Sequence, residues 1–63
     1  MKYNELKRIL IANGCFLEGQ KANHEWWFSP QSGKHFPLQR HGNMDVGIGV
    51  LKSLEKQTGI KLR

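Results

Sequence analysis

The sequence predicts an α+β fold of order α-β-β-β-α, with two helices on one face of a three-stranded antiparallel meander. Three observations predict it. Apolar residues recur at helical spacing at both ends of the chain, aromatic segments suited to strands lie between them, and Gly, Pro and Asn punctuate the joins. A chain of 63 residues is less than half of a typical domain, so it is read as a single unit over 1–63, or a fragment of one.

The first helix is predicted from Met1 to Asn13. Leu6, Ile9 and Leu10 fall on one face, Tyr3 continues that stripe, and Lys7 and Arg8 take the other side. Asn4 is the expected N-cap, with Glu5 near the positive helix end. Asn13-Gly14 is the stop, because Gly tolerates the left-handed conformation that closes a helix. Cys15 to Glu18 is the first strand, ending at Gly19 and followed by the polar stretch Gly19 to Asn23. His24 to Phe28 is the second, rich in aromatics. Ser29-Pro30-Gln31-Ser32-Gly33 reads as a turn. His35 to Leu38 is the third strand, and Pro37, which cannot donate to a ladder, requires it to lie at a sheet edge or to be short. After a loop from Arg40 to Gly49, a second helix begins at Gly47 or Ile48 and runs to Thr58. Its stripe is Ile48, Leu51 and Leu54, with Lys52, Glu55 and Lys56 on the wet side. Gly59 closes it, and Ile60 folds back onto the last turn.

A domain this short buries only about 60% of the surface its unfolded chain exposes, and many such domains rely on a disulfide or a metal. Cys15 is the only cysteine, so an internal disulfide and a Cys-rich zinc cluster are both excluded. His24, His35 and His41 match no compact ligand spacing, and neither a metal nor a cofactor is expected. No apolar run approaches the ~18 residues of a spanning helix, and no leader is recognisable, which predicts a cytoplasmic protein without a membrane partner. Ten Lys and Arg against five Asp and Glu give a net charge of +5. That excess suits a polyanion, nucleic acid first, and it equally suits plain solubility.

Alternation puts His24, Trp26 and Phe28 on one face of the second strand and Glu25 and Trp27 on the other. Two helices cover one face only. Either both tryptophans serve as core and cover, or one stays accessible as a stacking platform for a base; alternation leaves open which of them faces the helices. His24, at a loop-to-strand junction, is a candidate general acid or base, as is His41 beside Arg40, although inert surface histidines occupy such places too. His35 is a weaker candidate, and Cys15 reads as a buried structural thiol. Five scattered acids offer no paired-carboxylate site, so a nuclease built on this chain is expected to work without metal.

Four blocks carry a resemblance. They are Lys2-Tyr3-Asn4-Glu5-Leu6 through Asn13-Gly14; His24 at the head of the second strand; Phe36-Pro37-Leu38-Gln39-Arg40-His41 before Gly42-Asn43; and Gly49-Val50-Leu51-Lys52-Ser53-Leu54-Glu55-Lys56-Gln57-Thr58-Gly59-Ile60. In this order and spacing they resemble the HicA-type toxins of bacterial toxin–antitoxin systems, very small messenger-RNA-cleaving proteins. The last block is similar to a family closing pattern of Gly-Thr-Leu-Arg-Ser-Ile-Leu-Lys-Gln-Ala-Gly-Leu.

The resemblance implies a double-stranded-RNA-binding-domain-like fold, an endoribonuclease activity carried by His24, a messenger RNA substrate and inhibition by a HicB-type antitoxin. No direct DNA binding is expected of the toxin alone. Two departures stand out: Ala22-Asn23 replaces Gly-Ser before the histidine, and Gln39 replaces Pro before Arg-His. In the mechanism this suggests, His24 takes the proton of the RNA 2′-hydroxyl as it attacks the adjacent phosphate. Lys21, Lys34 or Arg40 offsets the charge that develops, and His41 or water protonates the leaving group. The competing classes are a non-catalytic basic RNA-binding module and a domain that meets an acidic protein.

Overall fold

The computed structural model describes residues 1–40 and 42–63. They form α1 (Tyr3–Ala12), β1 (Phe16–Lys21), β2 (His24–Ser29), β3 (Lys34–Gln39) and α2 (Ile48–Thr58), the expected α-β-β-β-α order. The strands form one antiparallel sheet in the order β1-β2-β3, so the proline-bearing β3 is an edge strand.

Both helices lie on one face of this sheet, because both reach the same side of β2. Lys7 of α1 places Nζ 3.1 Å from Oε1 of Glu25, and Ser29 Oγ donates to the carbonyl oxygen of Thr58, the last residue of α2, at 2.8 Å. Between these two ties lies the core: Tyr3, Leu6 and Leu10 from α1, Trp27, Phe36 and Leu38 from the sheet, and Leu51 and Leu54 from α2. Trp27 and Phe36 are cross-strand partners whose rings lie 6.5 Å apart at 24°. The radius of gyration is 10.5 Å, against about 10.6 Å for a well-packed chain of this length. Shortness has not loosened the packing.

Several local expectations are corrected. Asn4 is not the N-cap. The helix starts at Tyr3 after Lys2, with no side-chain cap. Loop carbonyls serve instead: the Tyr3 and Asn4 N–H groups donate to Met44 (3.0 Å) and Gly42 (3.1 Å), while Val46 N–H returns to Met1 at 2.7 Å. Such long-range partners satisfy helix-end donors as well as a cap does, and nothing local in the sequence marks them. Lys7 is not on a purely wet face, since its ammonium is tied to Glu25.

β1 does not stop at Gly19. It passes through an irregularity between Leu17 and Gly19 and continues to Lys21, which pairs with His24. Glu18 is the extra residue without a β2 partner, and the ladder resumes at Gly19, which pairs with Trp26. Ile48 does not belong to the apolar stripe of α2: it is 61% exposed, whereas Leu51 is 7% exposed. Val46 ahead of the helix and Ile60 and Leu62 behind it are buried instead. The helix closes as expected at Gly59, with φ 74° and its N–H on the Glu55 carbonyl at 3.0 Å.

Candidate active site

The face of the sheet turned away from the helices is uncovered and carries three cross-strand rows. Lys21, His24 and Gln39 form the first row, Gly19, Trp26 and Pro37 the second, and Phe16, Phe28 and His35 the third. The position of both helices, on the face that carries Glu25 and Ser29, decides which tryptophan the core takes. Trp27 is 4% exposed and belongs to the core, and Trp26 is 44% exposed on the open face. Glu25, on the helix side, accepts from Trp27 Nε1 at 3.1 Å as well as from Lys7. A carboxylate buried among apolar neighbours is thereby satisfied, which removes the cost of leaving it unpaired.

His24 is held at the head of β2 by a two-residue hairpin turn, since Lys21 and His24 are Cα partners across it. Ala22 takes a φ of 54° there. The first position of a two-residue turn is one where glycine is favoured, because positive φ brings a Cβ against the backbone. The replacement of Gly-Ser by Ala22-Asn23 therefore leaves a local strain in the turn that carries the histidine.

Two depressions meet at His24. One, of about 480 Å³, is lined by Lys21, Ala22, His24, Trp26 and Pro37 on the open face. The other, of about 290 Å³, runs between β3 and α2, with His24, Gln39, Ser53, Gln57 and Tyr3 in its walls. Among the described residues His24 and Pro37 are common to both. An imidazole at such a junction can reach a group held in either depression, and Lys21 and Gln39 flank it with a cation and an amide.

The other sequence candidates divide. Lys21 stands beside His24. Arg40 lies at the same end of the sheet, where Nη1 donates to Gln20 Oε1 at 2.8 Å; Gln20 pairs with Glu25. Lys34 pairs with Ser29 at the opposite end of the strands, five residue steps from the His24 row, or about 17 Å. The fold does not bring Lys34 to His24. His35 also sits in the far row, where its Nε2 meets Glu18 Oε1 and its ring lies 4.8 Å from that of Phe28. Cys15 is buried. His41 lies outside the described residues.

Sequence reasoning missed Gln39 as a neighbour of His24 and Ser53 and Gln57 as groove walls. The four-residue step from Ser53 to Gln57 puts both on one helical face, and Gln39 follows from the meander register once the two-residue turn is known. Among the described residues no group of three or more His, Cys, Asp or Glu could hold a metal ion. None of the helices among them is long and apolar enough to cross a membrane.

Fold and site together define a class: a small basic α+β domain with a histidine, a cation and an amide aligned at the head of an open sheet face. Sequence comparison narrows it. The family model for the HicA toxin of bacterial toxin–antitoxin systems matches residues 3–60. A protein of Pseudomonas fluorescens (strain Pf0-1) named probable mRNA interferase HicA is 36% identical over 61 residues, covering 97% of this chain and 98% of that relative. No solved structure matches the chain significantly. The chain belongs to the HicA toxin family.

Proposed function

We propose that this chain is the toxin of a type II toxin–antitoxin pair, an endoribonuclease that cleaves messenger RNA in the cytoplasm without a metal, and that a HicB-type antitoxin neutralises it. Family membership and the name of the Pseudomonas relative support the class of activity. The observation that carries the residue assignment is the position of His24 where two depressions meet, beside Lys21 and Gln39.

In the proposed reaction His24 accepts the proton of the 2′-hydroxyl. That oxygen forms a bond to the adjacent phosphorus as the bond to the 5′-oxygen breaks, leaving a 2′,3′-cyclic phosphate on one fragment. The departing 5′-oxygen takes a proton from water or from His41. Lys21 offsets the charge that gathers on the phosphoryl oxygens, and the Gln39 amide is a second donor within the same row. The nucleophile belongs to the substrate, so a small scaffold suffices.

Incubation of the purified chain with labelled RNA tests this reading. Cleavage is expected to survive EDTA, to be absent for DNA and for RNA with a 2′-deoxy scissile nucleotide, and to fall at least about 100-fold in His24→Ala. Undiminished cleavage by His24→Ala, or loss of cleavage with EDTA, overturns it. Tight RNA binding with no cleavage favours a binding module instead.

A further inference from the structure

We infer that Trp26 and Lys21 form a nucleotide subsite beside His24, and that the RNA held there is single-stranded. This rests on the reading of His24 as the catalytic base, and it adds the class of substrate that the site accepts.

The starting observation is the unequal fate of two adjacent tryptophans. Trp27 fills the core, whereas Trp26 leaves 44% of its surface in solvent. A domain this small has every reason to bury an indole, and an exposed one on a flat sheet face is an unfilled apolar surface. Its surroundings keep it open. The β1 partner of Trp26 is Gly19, which has no side chain to lay across the ring, and its β3 partner is Pro37. A Cβ built on Gly19 would meet nothing within 4 Å. Beyond Gly19, the sheet therefore leaves space at the side of the indole.

The indole wall belongs to the same depression as His24 and Lys21. Trp26 and His24 are two residues apart on one face, or about 6.7 Å along the strand, which is of the order of one nucleotide step in an extended single strand. A base stacked on Trp26 thus sits one step from a phosphate held between His24 and Lys21. The aromatic wall suits the base and the ammonium suits the phosphate, in a chain of net charge +5. A duplex cannot use this arrangement, because its bases are already stacked and paired and it offers a protein only phosphates, sugars and groove edges. An unpaired base can use it whatever its identity, since every base has a π-face.

The test uses the full chain and a short RNA carrying 2′-O-methyl groups throughout, which cannot supply the nucleophile. In the parent, the single-stranded oligonucleotide is expected to quench the exposed indole, and this quenching is absent in Trp26→Phe, where only the buried Trp27 still emits. Trp26→Ala should weaken single-strand binding about tenfold, with Trp26→Phe within about threefold of the parent. Binding of the same sequence as a duplex should change little in either variant. An unchanged thermal midpoint in Trp26→Ala confirms that the fold is intact.

Undiminished single-strand binding by Trp26→Ala overturns the subsite, as does an equal loss for the duplex. A loss of antitoxin binding alone would also overturn it, by making the patch a protein interface. The two readings fail separately. If His24→Ala abolishes cleavage while Trp26→Ala binds normally, only the subsite falls; if the parent cleaves nothing yet binds single strands through Trp26, the subsite stands and the nuclease falls.

Discussion

Ser29 Oγ donates to the carbonyl oxygen of Thr58 at 2.8 Å, and neither residue has exposed surface. The bond joins the last residue of β2 to the last residue of α2. It has company: Ser32 Oγ donates to Gln57 O at 2.6 Å, and Gln31 Nε2 to Gly59 O at 2.9 Å. Three side chains of one hairpin turn thereby satisfy successive carbonyls at a helix end that has no intrahelical donors left. Ser29→Ala is expected to destabilise the domain by about 1–2 kcal/mol, because it orphans a buried acceptor. Urea titration with an unchanged slope and a lowered midpoint would show it; an unaltered midpoint would mean the contact contributes nothing.

Ala22 offers the opposite prospect. Its φ of 54° is one that glycine adopts freely and that costs an L-residue about 1–2 kcal/mol. A Cβ is the only thing removed in Ala22→Gly, although glycine's extra freedom in the unfolded chain offsets part of the gain. The expected result is a net stabilisation of up to about 1 kcal/mol, with Ala22→Val losing stability instead. Chemical denaturation of the three proteins gives the order. If Ala22→Gly proved the least stable, the turn geometry would be wrong.

The two lysines lie at opposite ends of the sheet and on opposite faces of it. Lys21 is the cross-strand partner of His24, while Lys34 pairs with Ser29 at the other end. Under the proposed mechanism Lys21→Ala should lower the single-turnover cleavage rate about 100-fold, as the loss of a group that stabilises developing charge does. Lys34→Ala should leave that rate within about twofold and weaken RNA binding only through lost long-range attraction, an effect that salt screens. Equal rate losses for the two variants would contradict the assignment.

Glu55 ties down the end of the chain. Its carboxylate accepts the Leu62 N–H at 2.8 Å and pairs with the Arg63 guanidinium at 2.9 Å. The Leu62 N–H first, and then Arg63, hold its carboxyl below the ordinary value of 4.5. A depressed carboxyl contributes stability that is fully present above the unfolded value and is lost as pH falls through the folded one. Thermal midpoints of the parent and Glu55→Gln should therefore differ at neutral pH and converge as the pH falls below 4.5 and through the depressed value of the carboxyl. A constant offset down to strongly acid pH would show that protonation of Glu55 is not the cause.

The relation of sequence to structure differs from element to element. The stripe Leu6, Ile9, Leu10, the stop at Gly14 and the close at Gly59 were legible because each is a local property: a period of 3.6 residues, or a φ of 91° or 74° that favours glycine. Pro37 marked an edge strand for the same kind of reason. Ala22-Asn23 was illegible as a turn, since alanine is not a residue that advertises positive φ, and so β1 was read too short. The N-terminus of α1 was misread at Asn4 because its donors find their carbonyls some forty residues away.

By itself, then, the sequence determined the order of the elements, the single histidine at the head of β2, the excess of positive charge and the resemblance to HicA toxins. Tertiary structure alone decided which tryptophan the core takes, which cation stands beside His24, and that Gln39, Ser53 and Gln57 complete its surroundings. The reason is physical. Alternation assigns residues to two faces but not the face to the core; that choice is made when both helices settle on one side of the sheet and Glu25 finds Lys7. Once it is made, Trp26 is left in water two residues from His24.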